Sequence, residues 1–371
     1  MIVQSFVSRL KQLDGVLFAL TLILVCFGIA ALYSVTSHTE TGAFLRLNKQ
    51  LAFAAVGFAG LLAMSFLDYR VLRGWRNPLF LLGVLSLVGV LVIGTVIRET
   101  QRWYTIAGIT IQPSEFAKLA LLIFLAGYLA HAAPIRTFRP IVVSGIATSI
   151  CVLLLFLQPD VGTAILFFTL WLVMLIVART ERRLLAVLGA VLVVLALAAW
   201  FFVLHEYQQD RIRTFFDPNR DPLNVGYNVT QSIIAVGSGR LFGRGLGLGP
   251  QSQLNFLPEQ ETDFIFAVIA EELGFVGVVL ILAVYGLLLM RMLRTARRAR
   301  DAFSFYFVTG LTAGFAIQIS INVGMNIGLL PVTGIPLPFI SAGGSSLVTN
   351  LLALGIIQSI SRSSRQVFFR S

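Results

Sequence analysis

Charged side chains are scarce in this chain. They make up 12% of its 371 residues, whereas soluble globular proteins average about 25%. Hydrophobic residues make up 57%, and the mean hydropathy is +0.88. This composition is typical of a polytopic membrane protein, in which most side chains face lipid or other helices.

Cysteine and histidine are scarce as well. Cys26 and Cys151 each lie inside an apolar run, and His38, His131 and His205 are far apart in the sequence. The sequence therefore gives no disulfide framework and no metal-binding motif.

Apolar runs of membrane-spanning length recur along the chain. A helix needs about 20 residues to cross the hydrocarbon core. By this measure the sequence predicts ten helices, at roughly 14–35, 48–67, 78–97, 114–131, 140–157, 160–178, 184–204, 263–290, 302–329 and 341–360. Pro159 separates the fifth from the sixth, because proline ends a helix. The predicted fold is an all-α polytopic membrane protein with one domain over residues 1–371.

Basic residues predict the orientation of these helices. About 18 of the 28 Lys and Arg residues lie in the termini and in every second connection, and such segments stay in the cytoplasm. Both termini are then cytoplasmic. Two long connections, 98–113 and 205–262, are then extracytoplasmic, the second between helices seven and eight and partly an amphipathic helix. This arrangement explains the net charge of +11 without any nucleic acid.

Acidic residues cluster where the eighth helix is expected to begin. Asp263 follows the proline-marked stretch NFLPEQET, and Glu271 and Glu272 lie two turns deeper. Acidic side chains at the end of a membrane helix cost free energy to bury and usually have a functional role. Asp263 could cap the helix, the commoner role for a lone Asp, or do chemistry at the outer surface. Glu271 and Glu272 are expected to pair with a basic residue of another helix.

A second set of charges precedes or opens the fourth and sixth helices. Glu115 and Lys118 share a helix face, so they could pair with each other, or Lys118 could bind a phosphate as a point charge. Arg102, in the preceding connection, is another candidate contact for an anion. Asp160, in a Gln-Pro-Asp turn, could cap the sixth helix or form a wall of the same site.

Glycine and proline mark two further segments. The run GSGRLFGRGLGLG at 237–249 lacks the Lys-Ser/Thr of a nucleotide-binding loop, but glycines let a backbone approach a ligand closely. Three prolines in GLLPVTGIPLPFISAGGSS predict a broken segment, tolerated in a membrane only when it is buried or lines a cavity. Asn322 and Asn326, nearby, would share a helix face and hydrogen-bond between helices.

Four motifs together resemble the SEDS family, whose members include RodA, FtsW and SpoVE. They are LPEQETDFIFAVIAEELGFVG, GIPLPFISAGGSS, IQPSEFAKLA and QRWYTIAGI, and the resemblance covers nearly the whole chain. The short N-terminal tail, the length and QSQLNFLPEQ are most similar to RodA. The resemblance implies ten transmembrane helices and a peptidoglycan glycosyltransferase that polymerises lipid II on the outer face of the bacterial inner membrane. It also implies a role in cell elongation and rod shape, with a class B penicillin-binding protein as partner.

The resemblance also implies roles for single residues. Asp263 corresponds to the family's essential aspartate and would be the general base that activates a sugar 4-hydroxyl for an inverting transfer. Lys118 and Glu115 correspond to residues lining the family's central cavity, Asp160 to its QPD motif and Arg211 to the arginine before FFDP. Lys118 and Arg211 would then stabilise the leaving pyrophosphate, directly or beside Mg²⁺ or Mn²⁺.

The chain departs from the family pattern at two positions. Glu261 stands where family members often have His, and Ala342 stands where they often have an aromatic residue. Three other functions stay open from the sequence. They are a lipid II flippase, a division or sporulation paralogue with the same chemistry, and a protein that only activates or localises the transpeptidase.

Overall fold

Ten of the helices described in this computed structural model are apolar and form the body of the protein. The structure describes residues 13–36, 43–97, 100–106, 108–202, 209–210, 213, 225–254, 256–257 and 259–365. The helices in chain order are α1 (Gly15–Thr36), α2 (Ala43–Phe66), α3 (Tyr69–Gly74), α4 (Arg76–Ile93), α5 (Pro113–Ala132), α6 (Phe138–Leu157), α7 (Val161–Val177), α8 (Arg182–Phe202), α9 (Val225–Ser238), α10 (Pro250–Gln253), α11 (Ile265–Arg297), α12 (Ala302–Asn326) and α13 (Gly344–Arg365).

The predicted spans correspond to α1, α2, α4 to α8 and α11 to α13. Within the described residues nine helices are long and apolar enough to cross a membrane, and α7 is a shorter apolar helix of 17 residues. The predicted turn at Pro159 separates α6 from α7. An all-α polytopic membrane protein is therefore confirmed. The largest difference in bounds is in α11, which continues to Arg297 rather than 290, since arginines can lay their apolar stems along a helix.

A small antiparallel sheet fills the first long connection, which the hydropathy pattern does not predict. Its strands are β1 (Thr95–Ile97), β2 (Thr100–Ile106) and β3 (Ile109–Ile111), in that order. The Tyr104 hydroxyl donates to the Ser86 carbonyl of α4 at 2.9 Å. This bond holds the sheet against the bundle at the end where α5 begins.

Helix α11 is broken at Gly274, whose φ of 65° and ψ of −167° are not helical. The glycine-rich run 237–249 crosses this break and satisfies its backbone groups. Phe275 N–H donates to the Arg240 carbonyl at 2.9 Å, and Arg244 N–H donates to the Glu271 carbonyl at 2.9 Å. Non-helical backbone inside a membrane protein needs such partners. The glycine run is thus a structural platform.

Basic segments meet at the opposite end of the bundle. Arg291 Nε lies 2.7 Å from the Asp14 carboxylate, which joins the end of α11 to the start of α1. Arg73, in α3, contacts His131, at the end of α5, at 3.2 Å. The sheet and the segment before α11 lie at the other end of the same helices.

Candidate active site

A cavity of about 440 Å³ opens at the end of the bundle that carries the sheet. Five segments form it: the sheet, the start of α5, the α6–α7 turn, the residues before α11 and the proline-rich segment before α13. Four predicted site residues line it, namely Arg102, Glu115, Asp160 and Asp263, together with Glu259. Residues as far apart in the chain as Ile97 and Ser346 therefore share one cavity, in which Arg102 and Asp263 are 161 positions apart.

Asp263 lies two residues before α11 and is partly buried. The N-cap position is taken by Phe264, without a side-chain capping bond, so Asp263 is not the cap of the helix. Its carboxylate lines the cavity, and Oδ2 lies 3.6 Å from the point where a Cβ on Gly334 would stand. A Cβ would therefore be in ordinary van der Waals contact with the carboxylate, and it is the φ of +73° that favours glycine at this position.

Two asparagines of α12 hold the main chain at Asp263. Asn322 Nδ2 and Asn326 Nδ2 donate to the Asp263 carbonyl at 3.0 and 3.1 Å. The Asn326 Oδ1 accepts from Ala267 N–H at 3.1 Å, so it serves as a cap for the first turn of α11. The predicted bonding between helices is confirmed, and it acts on the candidate catalytic residue itself.

The proline-rich segment supports the same loop from the other side. Residues 331–343 are not helical and line the cavity, as the three prolines predict. Ser341 Oγ donates to the Thr262 carbonyl at 2.6 Å, and Ala342 N–H donates to the Glu261 carbonyl at 2.9 Å. The Glu261 side chain pairs with Arg46 at 2.6 Å. At this departure from the family pattern, the chain therefore has an ion pair that ties α2 to the loop.

Asp160 and Arg102 form one wall of the cavity. Asp160 is the N-cap of α7 and accepts from Thr163 N–H at 3.3 Å, so the capping role is confirmed. Arg102 Nε donates to the Gln158 carbonyl at 2.8 Å, and its Nη1 lies 3.7 Å from the Asp160 carboxylate. Burial raises the pKa of Asp160 above its ordinary value, although the Arg102 charge opposes this shift.

Glu115 and Lys118 form a buried ion pair at 2.7 Å. Glu115 faces the large cavity, whereas Lys118 lines a smaller internal cavity of about 20 Å³ with Gln318 and Asn350. The pairing alternative is therefore the one the structure contains. Lys118 does not line the large cavity itself, but it contacts Glu115, which does.

Glu271 and Glu272 lie deeper and do not line the cavity. Glu271 accepts from Gln251 N–H at 2.9 Å and Ser252 N–H at 3.1 Å, the first amides of α10. Glu272 accepts from the Ser34 hydroxyl at 2.6 Å. Among the residues that the structure describes, no basic side chain forms a salt bridge with Glu271, so the predicted ion pair is wrong there. The role of Glu271 is to hold the glycine-rich platform, because carboxylates are favoured at helix N-termini.

Glu259 is a cavity residue that the sequence pattern does not single out. Its carbonyl accepts from Asp263 N–H at 3.1 Å, and its φ is +52°. A second acid four residues before Asp263 in the same loop is the one signal that points to it. Arg211 lies outside the described residues.

Among the residues that the structure describes, no group of three or more His, Cys, Asp and Glu side chains is placed to hold a metal. Carboxylates of the cavity could contribute to holding a divalent cation beside a pyrophosphate, because Mg²⁺ is usually bound by one or two carboxylates together with phosphate oxygens.

Comparison with known proteins identifies the family. The sequence model of the FtsW, RodA and SpoVE family, described as "Cell cycle protein", matches residues 13–366. The chain belongs to the SEDS family. A relative from Trichlorobacter lovleyi, named probable peptidoglycan glycosyltransferase FtsW, is 38% identical over 95% of this chain and 94% of its own length. The Escherichia coli K12 peptidoglycan glycosyltransferase MrdB is 36% identical over 94% of this chain and 93% of its own.

A solved structure gives the same result for the SEDS fold. It is described as "Structural coordination of polymerization and crosslinking by a peptidoglycan synthase complex", with a TM-score of 0.82, 31% identity and coverage of 95% of this chain and 99% of that one. Relatives named FtsW and MrdB align over the same length at similar identity. The comparisons therefore identify the SEDS family, and relatives from its FtsW and its MrdB branch match the chain about equally well.

Proposed function

We propose that this SEDS protein is a peptidoglycan glycosyltransferase that polymerises lipid II. The observation that carries the proposal is the cavity that Asp263 lines together with Arg102, Glu115 and Asp160. Its volume of about 440 Å³ is within the range of sites that bind small ligands. The names of the T. lovleyi and E. coli relatives support the same reaction.

In the proposed reaction Asp263 is the general base. Its carboxylate takes the proton of a sugar 4-hydroxyl as that oxygen attacks the anomeric carbon of the donor lipid II. The bond from that carbon to the pyrophosphate breaks, and the transfer inverts the anomeric centre. The two asparagines fix the main chain at Asp263, so the carboxylate is held in place before the substrate binds.

Cationic groups would stabilise the leaving pyrophosphate. Arg102 lines the cavity, and its guanidinium is already oriented by the α6–α7 turn, which favours a directional contact with phosphate oxygens. We assign an indirect part to Lys118. Its ion pair with Glu115 reduces the negative charge that Glu115 brings to the cavity where the pyrophosphate would bind. Arg211 is proposed as a further pyrophosphate contact on the family pattern alone.

The proposed setting is the bacterial inner membrane during cell elongation, with the cavity on the extracytoplasmic face. The basic segments at the opposite end support this orientation. The partner would be a class B penicillin-binding protein. The solved synthase complex supports this, since its description joins polymerisation with crosslinking. The elongation role is supported by the RodA-like stretch QSQLNFLPEQ.

The test is polymerisation of purified lipid II by the purified chain, with and without its transpeptidase. We expect glycan strands, separable by length on a gel. A parallel assay measures translocation of fluorescent lipid II in liposomes. Translocation without any polymer would overturn the proposal in favour of a flippase. Restoring rod shape to E. coli cells that lack MrdB, and not division to cells that lack FtsW, would support the elongation role.

A further inference from the structure

A second large cavity lies at the other end of the bundle, about 24 Å from Glu115 along the 16 residues of α5 to His131. Its volume is about 630 Å³. It is lined by Arg70, Arg73, Arg76, Arg300, His131 and Asp301. The proposed glycosyl transfer makes no use of it.

Positive charge exceeds negative charge among the side chains that line this cavity. Four guanidinium groups surround one carboxylate, that of Asp301. In the part of the chain that the structure describes, none of the four forms a salt bridge. Arg76 is used in part by the fold, because Nη1 donates to the Gly127 carbonyl at 2.5 Å. Arg70, Arg73 and Arg300 are exposed.

The one carboxylate in the cavity is already engaged. Asp301 is the N-cap of α12 and accepts from Ser304 N–H at 3.0 Å. It also accepts from the Tyr69 hydroxyl at 2.7 Å and the Ser304 hydroxyl at 2.9 Å. These three donors are neutral, so the carboxylate keeps a single negative charge against four guanidinium groups. The cavity therefore favours an additional anion.

An apolar stripe borders this basic cavity. Leu67, Val71 and Trp75 recur every four residues along α3 and its flanks, and they are 40%, 47% and 60% exposed. The arginines at positions 70 and 73 lie on the adjacent face of the same turn. A tryptophan between apolar and basic side chains is typical of the membrane–water interface. Short helix α3 thus offers an apolar surface beside a cationic pocket.

We propose that this cavity binds the phosphate headgroup of an acidic phospholipid, whose acyl chains lie along the α3 stripe. Guanidinium groups match phosphate oxygens in geometry as well as charge, and basic pockets between membrane helices bind such headgroups. A soluble phosphate would use the guanidiniums alone. The exposed apolar stripe is what favours a lipid as the occupant.

The experiment is native mass spectrometry of the full chain in neutral detergent, titrated with phosphatidylglycerol or with phosphatidylcholine of the same acyl chains. The wild-type protein is expected to bind phosphatidylglycerol at least about tenfold more tightly than phosphatidylcholine. The double variant Arg73→Gln/Arg300→Gln is expected to lose roughly ten- to thirtyfold in affinity for it. Both residues are exposed, so its thermal unfolding temperature should match that of wild type.

The matched control is Arg182→Gln/Arg183→Gln, which removes the same charge from two exposed residues at the start of α8, outside the cavity. It is expected to keep the wild-type affinity. Equal losses in the two double variants, or equal binding of the two lipids, would overturn the proposal. Displacement of the lipid by glycerol phosphate at the same concentration would also overturn it, because the ligand would then be a soluble anion.

Discussion

Asp263 owes its position to its main chain rather than to a bond that caps the helix. Its carbonyl is held by two asparagine amides and its N–H by the Glu259 carbonyl, and the residue lines the cavity. A carboxylate on an irregular loop would otherwise move, and misplacement of a catalytic group by about 1 Å can cost about 100-fold in rate. At the residue scale, Asn322 and Asn326 are therefore positioning residues.

Asn326→Ala is expected to lower kcat roughly 10- to 100-fold while KM changes little. The variant loses the bonds to the Asp263 carbonyl and to Ala267 N–H, which weakens the hold on the Asp263 main chain that Asn326 shares with Asn322. The measurement is the rate of lipid II polymerisation against its concentration. Thr312→Val is the control, because it removes a buried hydroxyl bond within the same helix, to Val308. An equal loss of rate in both variants would contradict the positioning role.

Part of the site could be predicted from single residues, and part could not. Asp263, Glu115 and Asp160 attract notice because acids are rare in an apolar chain. Asn326 acts on a residue 63 positions earlier, and no local pattern shows such a pairing. The Glu115–Lys118 pair is local, three residues apart, so helix periodicity offers it as one of two alternatives.

At the element scale, the break in α11 makes room for the glycine-rich run. The conformation of Gly274 is one that essentially only glycine adopts. A Cβ at this position would overlap with the backbone nitrogen of Gly243. The run and the broken helix therefore share backbone hydrogen bonds, with Glu271 and Glu272 anchoring residues 247–252.

Gly274→Ala is expected to lower the thermal unfolding temperature in detergent, since the backbone strain alone costs about 1–3 kcal/mol. Gly286→Ala is the matched control on the same helix. A Cβ there meets nothing within 4 Å, so this change should leave the temperature equal or slightly higher, as alanine favours helix. Equal temperatures for the two variants would show that the platform does not depend on this break.

Hydropathy predicts long elements well and short ones poorly. The spans are visible because about 20 apolar residues must follow one another. The strands β1 and β3 have three residues each and leave too short a pattern. The break at Gly274 stands within the apolar run LGFVGVV. Its cause is a contact with a segment about 30 residues earlier, so the sequence around it continues to indicate a helix.

At the scale of the whole molecule, the bundle has two chemically different ends. One carries the cavity with Asp263, and the other carries the cavity lined by four arginines. Basic segments stay on the cytoplasmic side, so the first cavity would open on the side where lipid II presents its sugars. This orientation is a prediction from charge.

Labelling of introduced cysteines tests the orientation in intact cells. In a chain with Cys26 and Cys151 replaced by Ser, Thr105→Cys in the sheet is expected to react with a membrane-impermeant maleimide. Glu181→Cys, in the α7–α8 connection, is expected to react only after the cells are opened. Both positions are exposed. The reverse pattern would place the Asp263 cavity on the cytoplasmic side and contradict the proposed reaction.

The most direct test of the central claim is the rate of glycan formation from lipid II by Asp263→Asn. The amide keeps the size of the side chain but cannot take a proton, so the rate is expected to fall at least about 100-fold, with the unfolding temperature unchanged. Glu181→Gln removes an exposed carboxylate at the other end and should polymerise as wild type does. A folded Asp263→Asn protein that makes glycan at the wild-type rate would contradict the role of Asp263 as general base.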